Sequence, residues 1–298
     1  IGEILCEFGD NERIYILDSD LAKSTTSAKF GEKYPDRFVE CGISEQSAMS
    51  IATGLAIENK IPFYVNFAIL ATGTAWTQLR QACYSNANIK VISTHPGMDD
   101  GPDGASHHAN EDIALTRSIP NLKVLVPSSI EELRDAIALA IEYEGPVYIR
   151  AARDIVPVLD IKHNKVEFGK SEIIVDDGND LALIYEGTAA LCAMEAYEEL
   201  KRQGYKCKMI NVSSIKPMDM GMIDKIVNEV KGIVTIENHS VVGGLGGAVA
   251  EILATYSRHP KLRYVEDVFT ESGKISDVKK KYGLNTENVI KKCKEALL

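Results

Sequence analysis

Short apolar runs rich in β-branched residues alternate with longer stretches of helical spacing along the whole chain. Strands separated by helices pair in parallel through crossovers, and a parallel sheet must be covered on both faces. Residues 13–18 (RIYILD), 37–41 (RFVEC), 61–65, 89–93, 123–126 and 146–150 read as strands. Residues 44–58 carry Ala48, Ile51, Ala52, Leu55 and Ala56 at helical spacing with Ser44 placed as N-cap; 73–83, 113–118 and 130–144 read as further helices. A second series follows, with strands at 181–186, 207–212, 232–237 and 262–265 and helices at 188–203, 220–229 and 245–255. One or two short helices are expected after residue 275. The expected fold class is α/β, with two doubly wound domains at 1–158 and 181–298. The linker at 159–180 includes an edge strand near 171–175.

Composition narrows the function classes. The 298 residues hold 33 Lys+Arg against 43 Asp+Glu, a net charge of −10, so a basic nucleic-acid surface is not expected. No apolar run approaches the ~20 residues of a membrane span, and no charged leader with an apolar core is visible. The six cysteines at 6, 41, 83, 192, 207 and 293 form no C-x-x-C pair. Scattered single thiols suit a reducing cytoplasm, either as small buried hydrophobes or as free groups. The first residue is Ile1 rather than Met, so preceding residues are expected.

In doubly wound sheets ligands bind at the carboxyl ends of strands, and the unusual polar residues gather there. Glu45 falls in the first turn of a helix, where it either complements the helix dipole or serves as a partly desolvated proton carrier. Residues 94–110 contain His95, His107, His108, Asp99, Asp100, Asp103, three Gly and two Pro. That loop reads as a metal site, as an acid/base and hydroxyl-binding site centred on His95, Asp103 and His107, or as a structural turn; the spacing matches no standard zinc pattern. Tyr64, Phe67 and Leu70 follow a strand at three-residue intervals and form either core or the wall of a pocket for a flat heterocycle. Arg150 and Arg153 end an apolar strand, placed for a phosphate grip or an ion pair. The glycines at 243, 244, 246 and 247 open a helix as a tight reversal or a phosphate cradle, without P-loop or dinucleotide spacing.

Taken in order, the motifs LDSDLAKST (17–25), PDRFVECGISEQ (35–46), PFYVNFAILATGTAWTQLR (62–80), the segment 93–127, GPVYIRAARD (145–154) and ENHSVVGGLGGAVAEIL (237–253) resemble the transketolase family over essentially the whole chain. The resemblance implies its pyrimidine-binding and C-terminal domains and thiamin diphosphate chemistry. Glu45 matches the glutamate that bonds the aminopyrimidine ring nitrogen and favours the tautomer that takes the thiazolium proton. Phe67 matches the ring that stacks on the pyrimidine and Tyr64 a second pocket aromatic. Leu70 stands where an aromatic is common, and Ser106 where Thr often precedes the second loop histidine. His95, Asp103 and His107 match hydroxyl-binding and proton-handling residues. Ser24 and Arg153 match the sugar-phosphate grip.

The family's G-D-G…Asn motif, which holds Mg²⁺ at the diphosphate, is not found, and the chain lacks the ~300 residues of that domain. The resemblance therefore implies the C-terminal subunit of a split enzyme with no metal ligands of its own. An N-terminal partner subunit would supply Mg²⁺ and the diphosphate site, in a two-fold homodimer or a heterotetramer. The implied reaction moves a two-carbon ketol unit between a ketose phosphate and an aldose phosphate, as in the pentose phosphate pathway. Rival readings are a subunit like 1-deoxyxylulose-5-phosphate synthase, one like a 2-oxo acid dehydrogenase β chain, and a non-catalytic partner subunit.

Overall fold

The computed structural model describes residues 1–153, 164–256 and 268–298. Its strands are β1 (Ile14–Asp18), β2 (Phe38–Glu40), β3 (Ile61–Phe67), β4 (Lys90–Thr94), β5 (Lys123–Leu125), β6 (Val147–Arg150), β7 (Glu172–Asp176), β8 (Leu181–Tyr185), β9 (Cys207–Asn211), β10 (Ser214–Lys216) and β11 (Gly232–Ile236). The helices are α1 (Gly2–Glu7), α2 (Ala28–Lys33), α3 (Glu45–Ile57), α4 (Trp76–Tyr84), α5 (Asp112–Arg117), α6 (Ile130–Glu142), α7 (Ala190–Arg202), α8 (Met220–Glu229), α9 (Leu245–Leu253), α10 (Ile275–Lys281) and α11 (Thr286–Ala296).

Two sheets form, in the orders β10-β5-β6-β4-β3-β1-β2 and β11-β8-β9-β7. The first is parallel except for β10, the second parallel except for the edge strand β7. The α/β class read from the alternation therefore holds. Strands β3, β4, β6 and β8 are buried along their whole length, which is why they read as continuous apolar runs. The order reverses between β1 and β3, which makes their carboxyl ends a switch point.

Several local expectations need correction. Ser44 occupies the cap position of α3, yet its hydroxyl turns back and donates to the Cys41 carbonyl at 2.7 Å instead of capping the helix. The helix expected from residue 73 starts at Trp76, after one turn of π-helix at Leu70–Thr74. Short α1, α2 and β10 are new. β10 crosses from the second half to pair antiparallel with β5, and Lys216 Nζ at its end donates to the Arg117 carbonyl at 2.8 Å. Val124, Val126, Ile210, Val212 and Ile215 accordingly belong to one apolar cluster. The strand expected at 262–265 and part of the linker lie outside the described residues.

A buried ionic cluster joins the two sheets. Arg150, at the end of β6, clamps Asp112 bidentately: Nε to Oδ2 at 2.8 Å and Nη2 to Oδ1 at 3.0 Å. Its Nη1 lies 3.3 Å from Glu186, just past β8, and its Nη2 also donates to the Asn238 carbonyl at 2.8 Å, just past β11. Tyr148 donates to Asp112 at 2.6 Å. Both side chains of the Arg150–Asp112 pair are essentially inaccessible. Arg150 is thus a structural tie and not an available phosphate grip. Beside it, Glu237 is buried and accepts from Leu245 N at 2.6 Å and Gly246 N at 2.8 Å. This carboxyl fills the N-terminus of α9, so the glycine turn cradles an internal acid. A Cβ on Gly244 would lie 2.1 Å from Glu237 Oε2, which is why a glycine stands there.

Removing one member of a buried charge network leaves the others uncompensated, at about 3–5 kcal/mol. Arg150→Met should lower the urea-unfolding free energy by that amount, and a loss under ~1 kcal/mol would contradict the clamp. Burial raises the Glu237 carboxyl from 4.5 to about 8 against the pull of its two N–H donors. Between those values the folded chain keeps a proton that the unfolded chain has released. Stability from this group therefore falls as pH rises from about 4.5 to about 8. The stability difference between wild type and Glu237→Gln should shrink across that window in denaturant titrations at pH 5, 6.5 and 8. A constant difference would refute it.

Candidate functional site

The carboxyl ends of β1, β2, β3, β4 and β6 share one edge of the first sheet, and the residues singled out from sequence lie along it. At the end of β1, Asp18 accepts from Leu21 N at 2.7 Å and from the Thr25 and Ser27 hydroxyls, both at 2.8 Å. Burial raises its pKa. These bonds fold residues 19–27 into a compact turn from which Ser24 points to solvent. Ser24 makes no hydrogen bond to the other candidate residues among the described residues.

Glu45 and Tyr64 meet at the switch point. Tyr64 is fully buried on β3. Its hydroxyl is within 3.2 Å of Ser19 Oγ and takes a hydrogen bond from Asn66 Nδ2. The Glu45 charge acts on that hydroxyl, whose pKa is pushed up chiefly by burial. Glu45 itself is only 9% exposed, and its carboxylate takes no hydrogen bond or ion pair among the described residues. The residue is largely covered while its unpartnered carboxylate oxygens still reach solvent, so they stand open to a ligand.

Phe67, at the end of β3, gathers the second group. Its ring lies 3.8 Å from the His95 ring at a 31° tilt and 6.3 Å from the His107 ring, edge-on. His95 follows β4 with φ at +57°, an uncommon conformation for a side chain this large. Its Nδ1 is 2.7 Å from the Thr94 hydroxyl. Burial first, then the Arg153 charge, lowers His95 to about 4, while Asp103 opposes them. His95 is therefore a neutral imidazole at pH 7. His107 Nδ1 is 2.9 Å from Ser106 Oγ. Asp103 and Arg153 are exposed at the mouth of this group, and Leu70 is half-buried at the start of the π-turn beyond Phe67.

The loop that carries His95, Asp103 and His107 is held by the second half of the chain. Asn238 Oδ1 accepts from Met98 N at 3.0 Å, and Asn238 Nδ2 donates to Asp99 Oδ1 at 2.7 Å. Lys279 reaches the same Asp99 oxygen at 2.9 Å. His108 Nε2 donates to the Asp100 carbonyl at 2.9 Å, which leaves Nδ1 to accept from the Thr270 hydroxyl. Backbone bonds Gly273 N to Gly101 O (2.8 Å) and Ser240 N to Asn110 O (2.7 Å) complete the strapping. Gly97 has φ of +56° and a Cβ there would lie 2.3 Å from the Asn238 carbonyl, so close approach requires glycine. His239 is a further buried member: Nδ1 donates to the Ser240 carbonyl at 2.8 Å, Nε2 accepts from Ala114 N at 3.4 Å, and burial lowers it to about 4.

Sequence reasoning missed Asp112, Glu186, Asn238 and Lys279, which position the site without lining it. Their signal was present: Glu186 and Glu237–His239 are polar residues placed directly after fully apolar strands. No group of three His, Cys, Asp or Glu side chains among the described residues is arranged to hold a metal. No helix among them is long and apolar enough to cross a membrane.

Comparison with known proteins places this geometry. The family model "Transketolase, pyrimidine binding domain" matches residues 2–158, and "Transketolase, C-terminal domain" matches 169–289. A protein of Methanocaldococcus jannaschii named putative transketolase C-terminal section is 39% identical, over 99% of this chain and 94% of its own. One subunit of an apulose-4-phosphate transketolase from Phocaeicola vulgatus is 33% identical over 95% of this chain and 90% of its own. A subunit of a 6-deoxy-6-sulfo-D-fructose transketolase from a Clostridium species is 31% identical, over 98% and 92%. Among solved structures, one described as a split gene transketolase, an inactive β4 tetramer, superposes with a TM-score of 0.88 at 36% identity, over 99% of this chain and 96% of that one. The chain belongs to the transketolase family, of which it carries the pyrimidine-binding and C-terminal domains.

Proposed function

We propose that this chain is the C-terminal subunit of a split, thiamin diphosphate-dependent transketolase that moves a two-carbon ketol unit from a ketose phosphate to an aldose phosphate. The observation that carries this reading is Glu45: a largely covered residue whose carboxylate opens to solvent with no partner from its own chain among the described residues, and whose charge acts on the Tyr64 hydroxyl at the switch point. Such an acid fits a ring nitrogen that shares a proton with it. Phe67, against His95 at the end of β3, offers a flat face for such a ring, and Leu70 at the start of the following π-turn is assigned to the wall. Bound thiamin diphosphate would supply the electron sink for the carbon skeleton. The likeness to a split gene transketolase supports assigning the diphosphate and its Mg²⁺ to an N-terminal partner subunit. The two domains are read as 1–158 and 181–298, joined by the linker at 159–180.

The chain's own residues then divide the work. Glu45 holds and moves the proton at the aminopyrimidine. His95, kept neutral, and His107 exchange protons with, or hydrogen-bond, hydroxyl groups of the sugar, and Asp103 accepts from another. Arg153 and Ser24 face solvent on the same edge, where an anionic sugar terminus would be gripped. The relatives named for sulfofructose and apulose phosphate transketolases support a ketose with an anionic or phosphorylated end as the substrate class. A two-fold assembly of two copies of each subunit fits an active site shared between chains, and a cytoplasmic place follows from the sugar phosphates it would use.

Reconstitution with the N-terminal subunit tests the reading. The chain alone should bind no thiamin diphosphate by calorimetry and show no ketol transfer, and the complex should do both. Turnover by the chain alone, or no cofactor binding by a verified complex, would refute it; the second result favours a non-catalytic subunit. Substrate profiling separates the rivals, since preference for pyruvate over ketose phosphates would indicate a synthase- or dehydrogenase-type subunit. In the complex, Glu45→Ala should lower kcat by at least about 10²-fold with unfolding unchanged. Arg153→Gln should raise KM for a phosphorylated ketose by about 10- to 100-fold while sparing kcat and the unphosphorylated sugar. Equal losses for both sugars would remove Arg153 from the grip.

A further inference from the structure

A cavity of about 650 Å³ lies behind the loop of His95, Asp103 and His107, and no candidate residue lines it. Its volume falls within the ~300–1,000 Å³ that holds small organic ligands. Thr188, just past the end of β8, stands in its wall, and the carboxyl ends of strands are where an α/β sheet takes ligands. The loop of the first half already fills part of that crevice: Met98 belongs to the apolar cluster of the second half, and Asn238, just past β11, holds Met98 N and Asp99. The cavity is what remains.

Its lining has two characters. Leu191 and Cys192 of α7, Ile275 of α10 and Leu284 ahead of α11 make an apolar surface. Lys274 and Lys279 supply two ammonium groups against one carboxylate, that of Glu195, which accepts from the Thr286 hydroxyl. This local excess of positive charge stands in a chain whose net charge is −10. Lys274 is exposed and enters no ion pair among the described residues.

We propose that this cavity binds a small amphipathic organic acid, its apolar body against Leu191, Ile275 and Leu284 and its anionic group at Lys274, and that occupancy tightens the loop of His95, Asp103 and His107. The walls give the coupling. The Thr188 hydroxyl donates to Asp99 Oδ1 at 3.3 Å, and Lys279 Nζ reaches the same oxygen at 2.9 Å. Pro102, in the same loop, closes the cavity from the other side. Two wall residues therefore hold the loop and a third belongs to it. A ligand packed on all three keeps its contacts only while the loop is strapped down, so it favours that state over a loosened one. The coupling is reciprocal, and a sugar held by the loop would tighten binding in the cavity by the same factor. The effect on a ketose rests on the transketolase reading; the cavity and its hold on the loop do not.

The full chain, with labelled Ile and Leu methyls, is titrated by NMR with phenylbutyrate, an apolar body carrying one carboxylate, and with phenylbutanol, its neutral counterpart. The acid should give saturable shifts at Leu191, Ile275 and Leu284 with a Kd below about 5 mM, and should bind about three- to tenfold more tightly than the alcohol. Lys274→Ala should remove that preference. Leu191→Trp, at a position 44% exposed, should fill the mouth and abolish the shifts with urea unfolding unchanged. No saturable shift at those three methyls, equal binding of acid and alcohol, or titrations unchanged in both variants would overturn the site. Saturating acid should slow hydrogen exchange of the Met98 amide by about threefold or more in wild type and leave it unchanged in Leu191→Trp. Unaltered exchange in wild type would overturn the hold on the loop while the site stands. In the reconstituted enzyme the acid should lower the ketose KM about two- to fivefold, and an unchanged KM would overturn the effect on substrate. A complex with no ketol transfer at all would count against the transketolase reading and leave the NMR and exchange results intact.

Discussion

The Arg150–Asp112 clamp is the constraint on which the arrangement of this chain depends. A guanidinium buried in a sheet interface must find acceptors for its donors or lose more than folding can supply. Here the acceptors come from three places: Asp112 at the start of α5, Glu186 after β8, and the Asn238 carbonyl after β11. The first belongs to one sheet's layer and the other two to the second sheet. Satisfying one side chain therefore fixes how the two sheets meet. β10 acts in the same direction by lending a strand of the second half to the first sheet.

The site inherits its shape from that junction. Asn238 contributes its carbonyl to Arg150 and its side chain to Met98 and Asp99, so the residue that completes the clamp also anchors the loop of His95, Asp103 and His107. Lys279 and Thr270 add two more anchors from the C-terminal segment. This is why His95 can be held at a positive φ against the Phe67 ring: the backbone there is over-determined from both sides. Preorganisation of the loop is thus a property of the second half, although every candidate catalytic side chain lies in the first.

The sequence made the α/β alternation legible because fully buried parallel strands read as unbroken apolar runs. β3, β4, β6 and β8 are such strands. It also pointed to the strand ends, and Glu45, Tyr64, Phe67, His95, Asp103, His107 and Arg153 do gather at one edge. Elements with little periodicity escaped: α1, α2 and three-residue β10, whose Ile215 is the single core contact that a pattern could reveal. Arg150 shows a different limit. Its neighbour Arg153 has the same residue type and nearly the same position, yet one is inaccessible and the other exposed. Arg150 is the last residue of β6, paired with Ser93 of β4, whereas Arg153 lies past the strand end.

The acids of this chain separate in the same way, and the separation carries the functional argument. Asp18, Asp112, Glu132 and Glu237 are buried, and each has donors from its own chain: hydroxyls and a backbone N–H, a guanidinium, serines and an amide, and a helix terminus. The Oδ2 atoms of Asp99 and Asp100 are buried without a partner among the described residues, and the solvent-reaching carboxylate of Glu45 has no donor from its own chain among them. Folding alone would not retain unmatched acids, because replacing them by apolar groups would relieve the cost. Unmatched acids in the segments that follow β2 and β4 are what a site holds when its missing donors arrive with a ligand. In the proposed reading, the donor that Glu45 lacks arrives with the ring nitrogen of the cofactor.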